Sequence, residues 1–267
     1  MAQTDQRTGE VAGPRTAAVR DYWERHVDNW KIATSAPGTR EFFEEIEAYR
    51  FEKLTYLESV IDFSGFRGKT LLEVGCGVAN DLSRFARGGA LVTGIDIAPR
   101  AIELARLNFS QRALQGDFAI MDGEAMGFPD ACFDAVYCHT VLHFTSNPGA
   151  MIQEIHRVLK PGGLAMLMMV NRRSWMNLLR VAMRVEVDHL DAPEYHRITP
   201  TEFRAKLSPF NEVRITPERF PVPTKVHAGL KASLFNMIFV NTFNALPKSW
   251  TRPLGHHLMA FCRKQRN

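Results

Sequence analysis

The segment Leu71-Leu72-Glu73-Val74-Gly75-Cys76-Gly77-Val78-Ala79-Asn80-Asp81 constrains this chain more than any other. A short apolar run breaks at two glycines and gives way to a polar, helix-starting sequence. That pattern is a buried strand, a tight turn and a helix N-terminus. A second strand ends in Gly94-Ile95-Asp96-Ile97, with Asp96 nineteen residues after Gly77. Such a unit binds a nucleoside across the ends of a parallel sheet, and a carboxylate at that distance grips ribose hydroxyls. Glu73 narrows the ligand, because its charge beside the turn repels a diphosphate and favours a cation. Asn80 stands where the dinucleotide fingerprint has Gly or Ala, so helix and strand do not pack as closely as that fingerprint needs. The residues therefore describe a nucleoside with a ribose and a positive charge, without phosphate.

Apolar runs then alternate with helical patterns. Strands are expected near 70–74, 91–95, 117–121, 133–138 and 163–170, and helices near 80–88, 98–108 and 148–160. This rhythm gives a parallel sheet with helices on both faces. Lys160-Pro161-Gly162-Gly163 reads as a turn into the fifth strand. Before the sheet, residues 1–16 are small and polar and read as a disordered tail. Helical periodicity covers Ala17–Lys31 and Arg40–Ile61. Beyond residue 171, a helix fits 174–184, and Thr199-Pro200-Thr201-Glu202 starts another. A strand fits 211–219, an apolar Phe-rich helix 229–245, and a last strand 257–263.

The chain resembles the class I S-adenosylmethionine-dependent methyltransferases, in particular the small-molecule branch with the quinone-biosynthesis methyltransferases. The resemblance runs from about Lys69 to Val170. It rests on Leu72-Glu73-Val74-Gly75-Cys76-Gly77, Gly94-Ile95-Asp96-Ile97, Asp122-Gly123-Glu124-Ala125-Met126-Gly127-Phe128-Pro129-Asp130, Phe133-Asp134-Ala135-Val136 and Arg157-Val158-Leu159-Lys160-Pro161-Gly162-Gly163. It implies a Rossmann-like α/β fold: a seven-stranded, mostly parallel sheet with helices on both faces. One domain over 17–267 is then expected, with a helical cap (17–62), a cofactor core (69–170) and a C-terminal part (171–267) whose lid spans about 223–253. The implied cofactor is S-adenosylmethionine. By resemblance, Glu73 holds the methionine end, and Gly75, Cys76 and Gly77 supply backbone. Asp96 accepts from the ribose, Ile97 packs on adenine, and Asp122 and Gly123 meet the adenine edge with Glu124 in the same loop. His139 lines the methionine portion. Ala79 departs from the glycine that many relatives have.

Methyl transfer is an in-line displacement that needs alignment and exclusion of water. A base helps when the acceptor starts protonated. His143, beyond the fourth strand, is a candidate base or orienting group; packing against Phe144 is its other reading. His139 and His143 have metal-like spacing only if helical, and no third ligand is fixed, so no metal is expected. On the first helix, Tyr22 and His26 are candidates facing the methyl group, and Trp30 a candidate for the acceptor; an aromatic packing stripe is the alternative. Arg172 and Arg173 fit either a substrate carboxylate or surface ion pairs. His196, in a loop with His189 and Glu194, is a candidate cap on the acceptor.

Composition limits the partners. Lys and Arg number 33 against 29 Asp and Glu, a net charge of +4. That excess lacks the concentrated basic face of a nucleic-acid binder, and Cys138-His139-Thr140-Val141 stands where many base and glutamine modifiers carry Asn-Pro-Pro-Tyr. A small-molecule acceptor is expected, with no nucleic acid. An RNA or protein methyltransferase, or a non-catalytic binding protein, are the rival readings. Four scattered cysteines and no secretory signal suit the cytoplasm. No apolar run spans a bilayer, so no stable membrane insertion is expected. The Phe-rich helix suits core packing, a lid or a homodimer interface.

Overall fold

A computed structural model describes residues 13–26, 32–183, 189–223 and 235–266. Five strands lie parallel in the order β3-β2-β1-β4-β5: β1 (Thr70–Val74), β2 (Leu91–Asp96), β3 (Asp117–Ile120), β4 (Phe133–Cys138) and β5 (Leu159–Asn171). Beyond β5 the sheet continues antiparallel through β8 (His257–Arg263) to β7 (Glu212–Glu218). These seven strands are the ones the sequence implies. An eighth, β6 (Arg197–Ile198), pairs with the end of β5 and is too short to leave a sequence pattern.

Helices α4 (Asn80–Arg87), α5 (Pro99–Gln111) and α6 (Pro148–Val158) follow their strands. Pro99 and Pro148 occupy first-turn positions, where a missing N–H costs nothing. Asn147 caps α6 by accepting from the Ala150 N–H. β1 is buried on both faces and sends Leu71 into one core layer with Leu82, Phe85 and Ile102. Leu72 goes to the opposite layer with Val136, Ile152 and Ile155. Helix α8 (Pro200–Lys206) starts at the capping box formed by Thr199 and Glu202.

Three boundaries differ from expectation. α1 (Pro14–Arg25) begins inside the segment read as tail and leaves helical geometry at His26; residues 27–31 lie outside the described ones. The expected helix 40–61 is two, α2 (Arg40–Lys53) and α3 (Leu57–Val60), because Leu54 departs to φ −120°. Lys160–Gly163 is no separate turn. It bulges within β5, where pairing with β4 jumps from Phe133–Leu159 to Ala135–Leu164 and Gly162 takes φ +78°. α7 (Trp175–Met183) lies where a helix was expected. The Phe-rich helix falls partly on residues 224–234, outside the described ones; a π-helical turn at Phe235–Val240 runs into a helix at Asn241–Ala245. Among the described residues no helix is long and apolar enough to cross a membrane.

This topology brings the C-terminal ends of β1, β2, β4, β5 and β7 and the N-terminal end of β8 to one edge. The chemistry-bearing side chains gather there.

Candidate active site

β1 carries Glu73 to that edge, 4% exposed, with Oε2 enclosed and without a hydrogen-bond partner. Burial pushes its carboxyl well above the usual range and Asp81 adds repulsion, while Arg50 and the Leu82 N–H pull the other way. A buried carboxyl lacking a partner is costly, and a cation beside it would relieve the cost. At Gly75, φ is +68° and a Cβ would lie 2.2 Å from Val141 Cγ2, so only glycine fits. Gly77, at φ +52°, faces open space. The Gly75 and Cys76 N–H groups donate to Ile95 O at 2.8 and 2.9 Å. Asp96 accepts from Gly77 N–H at 2.9 Å through Oδ2 and from Ala98 N–H at 3.0 Å through Oδ1. The turn's amides thus hold the protein to itself and aim the Asp96 carboxylate at the strand end. Ile97 beside it is half-buried.

Asp122 accepts from the Glu124 N–H at 2.8 Å, and burial raises its pKa. Gly123 is packed so closely that a Cβ would meet Met151 and Val74 at 2.7 Å. The Glu124 carboxylate has a different task from its neighbours. It accepts from Thr145, from Ser146 at 2.7 Å and from the Asn147 N–H at 2.9 Å, fixing the entry to α6. Burial pushes the Cys76 thiol up, which removes it as a nucleophile.

A buried hydrogen-bonded chain runs along the edge from there. Asp81 accepts from Arg50 Nε at 2.6 Å and Nη2 at 2.5 Å, and from the Tyr137 hydroxyl at 2.8 Å. Arg50 Nη2 also donates to His139 Nδ1 at 3.1 Å. Arginine only donates, so His139 carries its proton on Nε2 and gives it to Tyr56 Oη at 2.7 Å. At the far end Arg219 Nη1 donates to His257 Nε2 at 3.0 Å. His257 is therefore protonated on Nδ1 and donates to the same Tyr56 Oη at 2.7 Å. Tyr56 accepts twice and turns its own proton to Met259 Sδ at 3.9 Å. Burial, then arginine charge, holds both imidazoles neutral. His139, expected against the methionine portion, thus has both ring nitrogens engaged and has only its ring surface to offer a ligand.

Thr140 at φ +61° turns the chain after β4, so His139 and His143 share no helix face. Among the described residues no group of three His, Cys, Asp or Glu side chains is placed to hold a metal. His143 is 4% exposed, and its Nδ1 is enclosed without a partner. Burial, with Arg219 next, lowers its pKa to about 3. Its ring lies 4.1 Å from that of Phe144 and 5.9 Å from that of Tyr195. Its carbonyl accepts from the His196 N–H at 2.7 Å, and His196 Nε2 donates to Thr145 O at 3.0 Å, so His196 staples this loop.

α1 clasps the same region. The Tyr22 hydroxyl donates to Asp191 Oδ1 at 2.9 Å and accepts from His189 Nδ1 at 3.0 Å. His26 stacks on Tyr22 at 4.2 Å, and Trp23 meets Phe144 at 4.9 Å. Trp30 lies outside the described residues. Arg172 is exposed and donates to Glu202 Oε1 and Arg197 O, the surface alternative of its two readings; Arg173 is exposed. Sequence reasoning missed Arg50, Tyr56, Arg219 and His257. They come from three separate parts of the chain, and none sits in a local motif.

A doubly flanked parallel sheet, a glycine turn after β1 and an acid after β2 define the class I S-adenosylmethionine-dependent methyltransferase fold. Residues 72–167 match the family described as methyltransferase domain. The ubiquinone biosynthesis O-methyltransferase of Xanthomonas oryzae pv. oryzae (strain PXO99A) is 36% identical over 121 residues, 45% of this chain and 49% of that protein. The chain spans about half the length of the curated relatives it matches. A solved S-adenosylmethionine-dependent methyltransferase of Thermotoga maritima, described as a possible histamine N-methyltransferase, superimposes with a TM-score of 0.60. It covers 92% of this chain and 100% of its own at 15% identity. A [4+2]-cyclase superimposes at 0.59 over 98% of this chain and 100% of its own, at 17% identity. At such identities the likeness is one of fold.

Proposed function

We propose that this protein transfers a methyl group from S-adenosylmethionine to a small-molecule acceptor, leaving S-adenosylhomocysteine. The observation that carries the reading is the pairing of a buried, unpartnered Glu73 oxygen with an Asp96 carboxylate aimed by two backbone amides, beside the open Gly77 turn. A cation suits the first and a ribose the second, and nothing in this set suits a diphosphate. When bound, the cofactor supplies a methyl group on a sulfonium, an electrophile needing no metal.

The chain's own residues bind and align. Asp96 holds the ribose, Asp122 accepts from the adenine amino group with Gly123 donating from its backbone, and Ile97 supplies an apolar surface. Glu73 and the carbonyls of the Gly75–Gly77 turn face the methionine end, with the His139 ring beside it. His143, lowered to about 3, is too weak a base to keep a proton at neutral pH. Its role is to orient the acceptor through its enclosed, unpartnered Nδ1. α1, through Tyr22 and His26, holds the 189–196 loop beside it as part of a helical cap. The printed name of the curated relatives favours an oxygen acceptor, and four free cysteines suit a cytoplasmic enzyme.

Calorimetric titration with S-adenosylhomocysteine tests the reading. Wild type binds it, and Asp96→Ala weakens binding by at least tenfold, since two hydrogen bonds to a charged group contribute about 1.5–3 kcal/mol each. Unchanged affinity in the variant overturns the cofactor assignment.

A further inference from the structure

The net charge of +4 hides an uneven distribution. Residues 219–267 hold eight Lys or Arg and no Asp or Glu, which leaves 25 cations against 29 acids in residues 1–218. A basic stretch on an otherwise acidic chain points to an anionic partner. The same stretch carries the two most exposed large apolar side chains among the described residues, Trp250 at 69% and Met237 at 64%, with Leu246 at 41%.

The segment has an anchored inner face and a bare outer one. Val240, Phe243 and Thr251 are buried, and Phe239 lies between Trp175 at 5.8 Å and Phe243 at 6.0 Å. Asn171, the last residue of β5, donates through Nδ2 to Pro253 O at 2.9 Å and to Gly255 O at 2.8 Å. The segment is therefore fixed at the ligand edge of the sheet. On the outside, Lys248 and Arg252 flank Trp250 two residues away on either side, and both are exposed. The acid that Arg252 acts on is Glu218, half-buried at the end of β7.

An indole between two cations suits the boundary of a bilayer. The ring takes the apolar side, its N–H stays hydrated, and the cations meet anionic headgroups. Nucleic acid offers the anions without the apolar layer that Met237 and Leu246 call for. A second copy of the chain would set the same cations against each other. We propose that this face docks reversibly on an anionic phospholipid bilayer, with Trp250, Leu246 and Met237 in the headgroup layer and Lys248 and Arg252 on the lipid phosphates. Docking turns the ligand edge of the sheet toward the bilayer. It is surface attachment, and it stands independently of the methyl-transfer reading.

The test is co-sedimentation of the full chain with sucrose-loaded vesicles of phosphatidylcholine alone or mixed equally with phosphatidylglycerol. The chain pellets with the mixed vesicles, about tenfold or more above phosphatidylcholine alone, and high salt releases it. Lys248→Gln with Arg252→Gln lowers partitioning by about fivefold for each cation, and Trp250→Ser lowers it by about fivefold. Both variants keep the wild-type urea midpoint, since exposed side chains contribute little to stability. Brominated phosphatidylcholine in the mixed vesicles quenches the tryptophan fluorescence of wild type more than that of Trp250→Phe. Failure to pellet with the mixed vesicles, equal partitioning into both kinds, or equal quenching in wild type and Trp250→Phe overturns the proposal. A dimer in sedimentation equilibrium that Trp250→Ser dissociates also overturns it and gives the face to a second copy. Binding of single-stranded RNA without binding of vesicles overturns it in favour of nucleic acid.

Discussion

Glu73 holds its proton because burial makes the charged form expensive, and Asp81 makes it more so. A cationic ligand reverses that balance, since an adjacent positive charge favours the carboxylate. Binding S-adenosylmethionine therefore releases a proton and tightens as pH rises above the usual carboxylate range. Titrations at pH 7 in buffers of different ionisation enthalpy show it as a buffer-dependent heat, and Glu73→Gln removes the dependence; identical heats in wild type would mean that Glu73 is already ionised. On the proposed reading His143, its pKa lowered to about 3, orients the acceptor and does not ferry protons, so His143→Ala lowers kcat about tenfold or more and leaves S-adenosylhomocysteine affinity within twofold. A fall in cofactor affinity as large as that in kcat would place His143 on the cofactor side instead. The placing of Glu73, Asp96 and Asp122 at strand ends was legible in the sequence because one short segment sets each of them relative to its strand. Arg50, Tyr56, Arg219 and His257 were not, because their meeting depends on the order of the strands, which no local pattern encodes.

Elements were legible where burial imposed a pattern. β1 and β4 read as continuous apolar runs because both faces are covered, and their bounds follow the reading closely. The break between α2 and α3 was hidden, because apolar spacing continues through Leu54 and Leu57 while the backbone leaves the helix between them. That break is what delivers Tyr56 to the two imidazoles. The start of α4 shows a cost that the sequence only hinted at. Ala79 is its N-cap, fully buried, in the left-handed region at φ 61°, ψ 38°. An L residue there is strained by about 1–2 kcal/mol, whereas glycine is not, although glycine loses more entropy on folding. Ala79→Gly accordingly raises stability by about 0.5–1 kcal/mol, read as a higher urea midpoint at constant slope. A lower midpoint would show that the alanine methyl's packing outweighs the strain.

The molecule as a whole is tied together by charge across its first helices and its core. Glu47 of α2 accepts from Arg84 of α4 at 2.9 Å, from Arg87 at 3.1 Å and from Arg112 beyond α5, while Arg50 grips Asp81. Glu47 and Asp81 are both held below the usual carboxylate range by these arginines, against the opposing effect of burial. Their stabilisation is complete above the unfolded carboxylate pKa and is lost only as pH falls below it. The histidines act earlier. His139, His143, His256 and His257 are all buried and neutral, with pKa values depressed first by burial. Below about pH 6.5 the unfolded chain takes up protons that the native state refuses, so each such histidine removes up to about 1.4 kcal/mol per pH unit. Glu73, Asp122 and Glu218 oppose them, since a raised pKa makes the native state the better proton binder, but they are three groups against four, and Asp122 and Glu218 are only about half enclosed. Stability therefore declines from pH 6.5 to 5, before any of the depressed carboxylates is protonated. Urea midpoints at pH 7.5, 6.5 and 5.5 measure this directly, and a flat profile across that interval would mean that the four rings are not enclosed as neutral groups.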